Sequence, residues 1–455
     1  MKKTQIVISG DNVETLKNYP DNYFDSVVTD CPYGLGKEPN AEEMLKAWID
    51  TGYLEVKGSG FMGKEWDSFV PQPLFWKEIY RVLKYGGHIV AFFGTRTYDW
   101  GCMSIRLGGF EIRDCIQWVY GSGFPKSHNV SKAINKMSGV EYDEIRASGV
   151  GFMKADSKDW NVTKNQLIQK GESTEQAKQW EGWGSALKPA NEPIVLARKP
   201  LEKGLSIAEN VLKWGTGGIN IDVSRIGLSK GDDKRLGGNG TWKTDKTANN
   251  VYEGGYEGKD IESSVLGRFP SNFIMTHHED CEDLICVDDC PIKIIDEQSG
   301  ISKRASRFFY VAKASQWERS FGLDEFEEKI IEGTDKGQDE RAIAYKTRPT
   351  PKKNIHPTIK PIKLMQYLIR LVTQPNGIVL DAFAGSGTTG IACKIDGFEF
   401  VGLEISEEFT AIANQRIESF NEEKLLLDET IVFKTRNKKE KTDTNTQSKE
   451  QLNLF

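Results

Sequence analysis

Apolar positions along the chain fall in short runs separated by helix-length amphipathic stretches, the rhythm of an α/β sheet. Ile6 to Ser9 and Ser26 to Thr29 read as strands. Pro73 to Leu83 reads as a helix stopped by Gly86-Gly87, and His88 to Phe93 as the next strand. A further helix is predicted from Tyr98 to Leu107, a long strand from Phe110 to Tyr120, and another strand from Pro193 to Ala197. The polar stretch Gly121 to Lys188 carries Trp160, Trp180 and Trp183, each expected singly in a core.

The rhythm then lapses. Leu228 to Asp260 holds seven Gly in 33 residues with many Lys, Asp and Asn, the composition of a loop or unstructured insert. An aromatic run, Phe308-Phe309-Tyr310, follows, and it too is expected in a core. From Ile362 the α/β pattern returns: helix Ile362 to Val372, strand Ile378 to Asp381, a glycine turn, helix Thr388 to Lys394, strand Phe400 to Glu404, helix Glu407 to Ile417. Beyond Phe433 the tail is polar and expected to be disordered. The α/β pieces thus lie at the two ends of the chain, with an irregular region between them.

With 455 residues, the chain has room for about two to four domains of roughly 150 residues each. The strongest apolar run, Ile89 to Phe93, is far short of the roughly 18 residues that a spanning helix needs, so no membrane segment is expected. Met1-Lys2-Lys3 before Ile6-Val7-Ile8 and Asp11 leaves no room for a signal peptide, and seven Cys, an odd number, point to reduced thiols. A cytoplasmic location is expected. Lys and Arg total 60 against 66 Asp and Glu, a net charge of −6, which excludes a globally basic binder but not a local basic face. Arg341 to Lys363 is such a segment, with seven basic residues and no acidic one; by charge alone it reads as a solvated linker.

The segment Val379-Leu-Asp-Ala-Phe-Ala-Gly-Ser-Gly-Thr-Thr-Gly390 ends a strand in Asp381, turns through Gly385 and Gly387, and enters a helix near Thr388. Glycines are required where backbone passes close to a ligand, and the helix start offers free N–H groups. Glu404 ends the next strand, 17 residues after Gly387, where a carboxylate can accept both hydroxyls of a ribose. A nicotinamide-dependent oxidoreductase is one reading of such a turn. Asp381 ahead of the first Gly and Phe383 inside the turn suit an amino-bearing cofactor better than a diphosphate.

A second segment, Val27-Val28-Thr29-Asp30-Cys31-Pro32-Tyr33-Gly34, delivers an acid, a carbonyl and an aromatic ring to one sheet edge. An exocyclic amino group of a base is a poor nucleophile because its lone pair is delocalised into the ring. The Asp30 carboxylate and the Cys31 carbonyl can accept both of its N–H bonds and turn the lone pair toward an electrophilic methyl group. Tyr33 can stack on a base extruded from a duplex, and Pro32 stiffens the turn.

Together these segments resemble the amino-group DNA methyltransferases that use S-adenosylmethionine, in the circularly permuted class whose catalytic tetrapeptide precedes the cofactor loop. The resemblance covers about Ile6 to Pro200 and His356 to Ile417, and includes Gly10-Asp11 and His356-Pro-Thr-Ile-Lys-Pro361. It implies a Rossmann-like sheet, with residues 1–200 as the catalytic half and 354–420 as the cofactor-binding half. Between them, 201–353 falls where the family keeps its target-recognition region. By analogy Asp381, Phe383, Gly385, Gly387 and Thr388 line the methionine end of the cofactor, Glu404 its ribose, and Asp11 lies near its adenine. Double-stranded DNA is the implied partner, and the basic segment 341–363 becomes a candidate for phosphate contact.

The family usually carries Asp-Pro-Pro-Tyr or Ser-Pro-Pro-Tyr, and here Cys31 stands second. Its backbone carbonyl survives the change. As a nucleophile of the carbon-5 cytosine type, the thiol would need positive neighbours that Asp30 does not supply. The leading Asp favours adenine N6 as the target, with cytosine N4 as the alternative.

Two further features stand apart. His277-His278-x-x-Cys281-x4-Cys286-x3-Cys290 offers three thiols and an imidazole to a structural tetrahedral zinc, with either His277 or His278 as the fourth ligand and His277 taken first. The last five residues, Gln451-Leu452-Asn453-Leu454-Phe455, are an apolar end to the polar tail of 434–455, and resemble the peptide by which bacterial replication and repair proteins dock on the sliding clamp. Gln451 would supply amide hydrogen bonds while Leu452, Leu454 and Phe455 fill apolar pockets.

Overall fold

The computed structural model describes residues 4–56, 67–121, 127–140, 142–145, 166–169, 173–227, 267–278, 281, 286–288, 290–299, 304–312, 318, 321–323, 326, 353, 354, 356 and 359–420. The elements are β1 Gln5–Ser9, α1 Asn12–Leu16, β2 Phe24–Asp30, α2 Ala41–Asp50, α3 Pro73–Val82, β3 Leu83–Phe92, α4 Tyr98–Leu107 and β4 Glu111–Val119. There follow α5 Val130–Met137, β5 Tyr142–Ile145, β6 Gln166–Gln169, α6 Glu175–Gln179, β7 Asn191–Arg198, α7 Ile207–Trp214 and β8 Phe273–Thr276. The chain continues through α8 Pro291–Gln298, β9 Tyr310–Ala312, α9 Ile362–Val372, β10 Ile378–Asp381, α10 Thr388–Asp396, β11 Glu399–Glu404 and α11 Glu407–Ser419.

One nine-stranded sheet in the order β1-β11-β10-β2-β3-β7-β4-β8-β9 gathers these strands, and β5 and β6 form a separate pair. The two ends of the chain interleave in it. β10 and β11 lie between β1 and β2, with Val379 opposite Ser26 and Val7 opposite Gly402. β1, β11, β10, β2 and β3 run parallel, and β7 is antiparallel to both β3 and β4.

Both faces of the central strands are covered, which explains their unbroken apolar runs. Val28, Val90 and Phe92 face a core built with Leu364, Leu368 and Ile369 of α9. Their neighbours Val27, Ile89 and Ala91 point to the other face, onto Met44, Trp76 and Ile79 of α2 and α3. No helix among the described residues is long and apolar enough to cross a membrane.

Two expectations change. α3 stops at Val82, before the glycines, because Leu83 already begins β3. Gly86, at φ +80°, lies inside the strand, where a Cβ would meet Asn210 Nδ2 at 2.5 Å and Gly217 Cα at 3.0 Å. The glycine is there for close approach of the segment after α7. The region after 201 is also less irregular than its composition suggests: β8 pairs with β4 and β9 with β8, so both extend the main sheet. The Gly-rich stretch 228–260 and the tail lie outside the described residues.

Candidate active site

β2 and β10 are adjacent parallel strands, and each ends in an aspartate, Asp30 and Asp381. After β10 the chain passes through α10 to β11 on one side; after β2 it passes through α2 and α3 to β3 on the other. Divergence at the carboxyl ends of neighbouring strands opens the crevice in which α/β sheets bind ligands. Thr29, one residue before Asp30, joins the two ends: its hydroxyl donates to Asp381 Oδ1 at 2.6 Å.

The turn Asp30-Cys31-Pro32-Tyr33 is held from outside. Asp67 Oδ1 accepts the backbone N–H groups of Tyr33 at 2.8 Å and Gly34 at 3.0 Å, and the Thr97 hydroxyl donates to the Tyr33 carbonyl at 2.5 Å. The Tyr33 hydroxyl lies 2.6 Å from Glu192 Oε2 and 3.0 Å from Asp30 Oδ1. Burial, and then the Asp30 and Glu192 charges, push the phenol well above its ordinary range, so it stays protonated. Cys31 is 3% exposed, and burial followed by Asp30 and Asp381 raises its thiol well above the usual range. A buried thiol so held is a poor nucleophile.

Lys360 completes the cluster. Its Nζ donates to Asp30 Oδ2 at 2.6 Å, lies 3.3 Å from Glu192 Oε2, and sits 5.4, 5.0 and 5.8 Å from the ring centres of Tyr33, Phe92 and Trp118. Burial alone would lower its pKa, but Asp30 and Glu192 together reverse the sign and raise it, so the ammonium stays charged. The charge count of 341–363 placed this lysine among candidates for phosphate contact. At 7% side-chain exposure against two carboxylates it belongs instead to the site.

The glycine turn forms a second group beside the first. Asp381 is 2% exposed; besides Thr29 it accepts from the Phe383 N–H at 3.1 Å and the Thr389 hydroxyl at 2.5 Å. Burial pushes its carboxyl up to about 6 against the pull of those donors. The Phe383 ring packs on Phe75 at 5.2 Å. Gly385 has φ +52°, and a Cβ there would meet His356 Nε2 at 2.7 Å. Gly387, at φ +81°, caps α10, and Thr388 opens that helix, buried. Glu404 accepts the Gly385 N–H on Oε2 and the Ser406 N–H on Oε1, both at 2.9 Å, and burial raises its carboxyl. An ionised carboxylate only accepts hydrogen bonds, which is what the two O–H donors of a ribose diol require. Asp11 caps α1 through the Glu14 N–H, and Gly10 beside it donates to the Glu404 carbonyl at 2.9 Å.

The structure thus brings Asp30 to Tyr33 and Asp381 to Thr388 to neighbouring strand ends, with Asp11 beside Glu404. Sequence reasoning missed Glu192, Asp67, Thr29 and Thr389. For Lys360 a signal exists, since it alone among the seven cations sits inside His356-Pro-Thr-Ile-Lys-Pro361; Asp67 and Glu192 carry none. His277, Cys281, Cys286 and Cys290 converge at the end of β8. Two aromatic expectations are corrected. Trp180 and Trp183, just beyond the short helix α6, are 42% and 60% exposed and pack edge to face on each other at 5.1 Å. Phe308 is also exposed, with the guanidinium groups of Arg268 and Arg307 over its ring at 5.0 and 4.7 Å. Trp160 lies outside the described residues.

A family model described as DNA methylase, N6 and N4 type, matches residues 24–415. The DNA adenine methyltransferase YhdJ of Escherichia coli K12 is 41% identical over 63 residues, 14% of this chain and 21% of that protein. The curated relatives in general are matched over only about a fifth to a quarter of their length. Two solved structures overlap most of the chain at low identity. The cytosine-N4-specific PvuII DNA methyltransferase is 14% identical with a TM-score of 0.40, covering 93% of each chain. The M1.HpyAVI–SAM complex is 14% identical with a TM-score of 0.34, covering 91% of this chain and 99% of that one.

Proposed function

The chain belongs to the N6/N4 amino-group DNA methylase family, and we propose that it transfers a methyl group from S-adenosylmethionine to adenine N6 in duplex DNA. The observation that carries this reading is the pairing of Asp30 and Asp381 at adjacent strand ends, bridged by Thr29. It sets a base-holding acid beside a cofactor-type glycine turn. The residues fit the cofactor: Gly385 and Gly387 supply the left-handed φ of the tight turn before α10, and Glu404 brings an acceptor-only carboxylate beside it. S-adenosylmethionine supplies the electrophilic methyl group.

In this reading Asp30 and the Cys31 carbonyl accept the two N–H bonds of an extruded base, and Tyr33 stacks on it. The nitrogen lone pair, freed from the ring, forms the new N–C bond as the S–C bond breaks, and Asp30 is placed to accept the proton that leaves. Glu192 and Lys360 hold Asp30 and Tyr33 in position. Residues 201–353 are proposed as the target-recognition region, and the two chain ends as the permuted halves of one methyltransferase core.

Methyl transfer from labelled S-adenosylmethionine to plasmid DNA, followed by digestion to nucleosides and mass analysis, tests this. N6-methyladenine is the expected product; N4-methylcytosine alone would move the assignment to the alternative base, and no transfer would remove it. Gln451, Leu452, Leu454 and Phe455 lie outside the described residues. For them we propose recruitment to a bacterial sliding clamp with micromolar affinity. Equal binding by the full chain and a chain lacking the last five residues, or none by either, removes that idea.

A further inference from the structure

Four metal-ligand side chains meet between β8 and α8. The ligand atoms of His277, Cys281, Cys286 and Cys290 all lie within 4.8 Å of one another. His277 follows directly on β8, and Cys290 is the N-cap residue of α8, where its thiol makes no capping hydrogen bond. The Cys281 N–H bonds to the His278 carbonyl at 3.0 Å and the Cys290 N–H to the Val287 carbonyl at 3.1 Å. Those two turns bring residues nine and thirteen positions beyond His277 back onto it.

The geometry is more telling than the composition. His277 Nδ1 lies 3.4 Å from Cys286 Sγ and 3.5 Å from Cys290 Sγ. With Zn–N at about 2.0–2.1 Å and Zn–S at about 2.3 Å, tetrahedral angles require N···S separations of about 3.5–3.6 Å. A neutral imidazole nitrogen has one hydrogen or one lone pair, so a single hydrogen bond cannot serve both sulfurs. One atom equidistant from two thiols is arranged around a shared centre. None of the chain's seven cysteines is in a disulfide. Cys290 is fully buried and Cys281 nearly so, under Met275, Ile292, Val287 and Phe309.

We propose that His277 through Nδ1, with Cys281, Cys286 and Cys290, binds one zinc ion in a closed structural site. With four protein ligands, no position remains for water or substrate, so the ion takes no part in methyl transfer. Its role is mechanical. β8 has only four residues and α8 eight; the ion fastens the end of one to the start of the other. The strand so fastened also carries Thr276, which accepts the Trp118 indole N–H at 2.5 Å, and Trp118 walls the Lys360 site.

The test is metal analysis of the full chain, purified without chelator. About one zinc per chain is expected, falling to background in Cys290→Ser and His277→Ala and unchanged in Cys115→Ser, whose thiol lies elsewhere in β4. Should the ligand variants fail to fold, cobalt-grown wild-type protein keeps the question open to measurement. Intense visible bands of tetrahedral cobalt with near-ultraviolet thiolate charge transfer are expected. Less than about 0.2 zinc per chain, full zinc in Cys290→Ser, or a weak octahedral cobalt spectrum would each overturn the site, leaving buried thiols that pack as small apolar groups.

Discussion

Lys360 and Asp30 stand 330 residues apart in the chain and 2.6 Å apart in space, a buried cation on the aspartate that ends β2. Their pairing couples the C-terminal piece of the chain to the tetrapeptide of the N-terminal piece. It also sets the charge balance of the site: two carboxylates, Asp30 and Glu192, share one ammonium.

Lys360→Met leaves those carboxylates facing each other without a cation. The folded pKa of the lysine is raised above its ordinary 10.5, so its contribution is complete below that value and is lost only as pH rises past the folded pKa. At neutral pH the variant therefore loses all of it, about 3 kcal/mol by analogy with other broken buried pairs. Urea unfolding checks the stability. Methyl transfer should fall at least about tenfold, since Asp30 loses the partner that holds it. A stable variant with unchanged transfer would show that Lys360 is a bystander.

Asp381 has the same sign of pH dependence in the acid range, but there the favoured form is the neutral one. Its carboxyl is raised from 3.8 to about 6, so the folded chain binds the proton more tightly than the unfolded one across that window. Stability from this group is therefore greatest below about pH 4 and declines as pH rises to about 6, by up to about 3 kcal/mol. Asp381→Asn cannot ionise and keeps a similar hydrogen-bonding shape, since the Thr389 hydroxyl can turn to accept. The difference in unfolding midpoint between variant and wild type should grow in the variant's favour from pH 4.5 to 7. A constant difference would show that the carboxyl ionises freely in the fold.

Cys31→Ala removes a thiol to which the proposed chemistry gives no part. Methyl transfer should stay within about fivefold of wild type, roughly 1 kcal/mol on the barrier. Stability should fall by about 1 kcal/mol for the small void left in a close-packed place. Complete loss of transfer in a folded variant would return the thiol to the chemistry.

Gly385→Ala puts a Cβ into a left-handed turn and onto His356. Strain of about 1–2 kcal/mol from the backbone alone is expected, plus whatever the His356 ring cannot yield. Binding of S-adenosylmethionine should weaken at least about tenfold by calorimetry. Gly182→Ala is the control: its φ is +81°, with nothing within 4 Å of the added carbon. It should carry backbone strain and leave cofactor affinity unchanged.

The strands and helices nearest the site were legible in the sequence because their periodicity reflects burial, and burial here follows two simple patterns. α4, α9 and β10 lie where the apolar spacing puts them, and the order of tetrapeptide before glycine turn is a property of the chain itself. Asp30, Tyr33, Gly385 and Glu404 could be named because each carries its signal within a few neighbouring residues. What only the tertiary structure decided is long-range. Nothing local distinguishes Lys360 from Lys352 or Lys353 by charge, and nothing at Glu192 or Asp67 announces that these acids hold Tyr33. Their roles arise from placing the end of β2 beside β10 and below the start of α9, which is set by the sum of packing across the whole sheet. Likewise the sequence could not choose between His277 and His278, since adjacent residues leaving a strand point to opposite sides. Only the folded end of β8 turns His277 toward the three thiols.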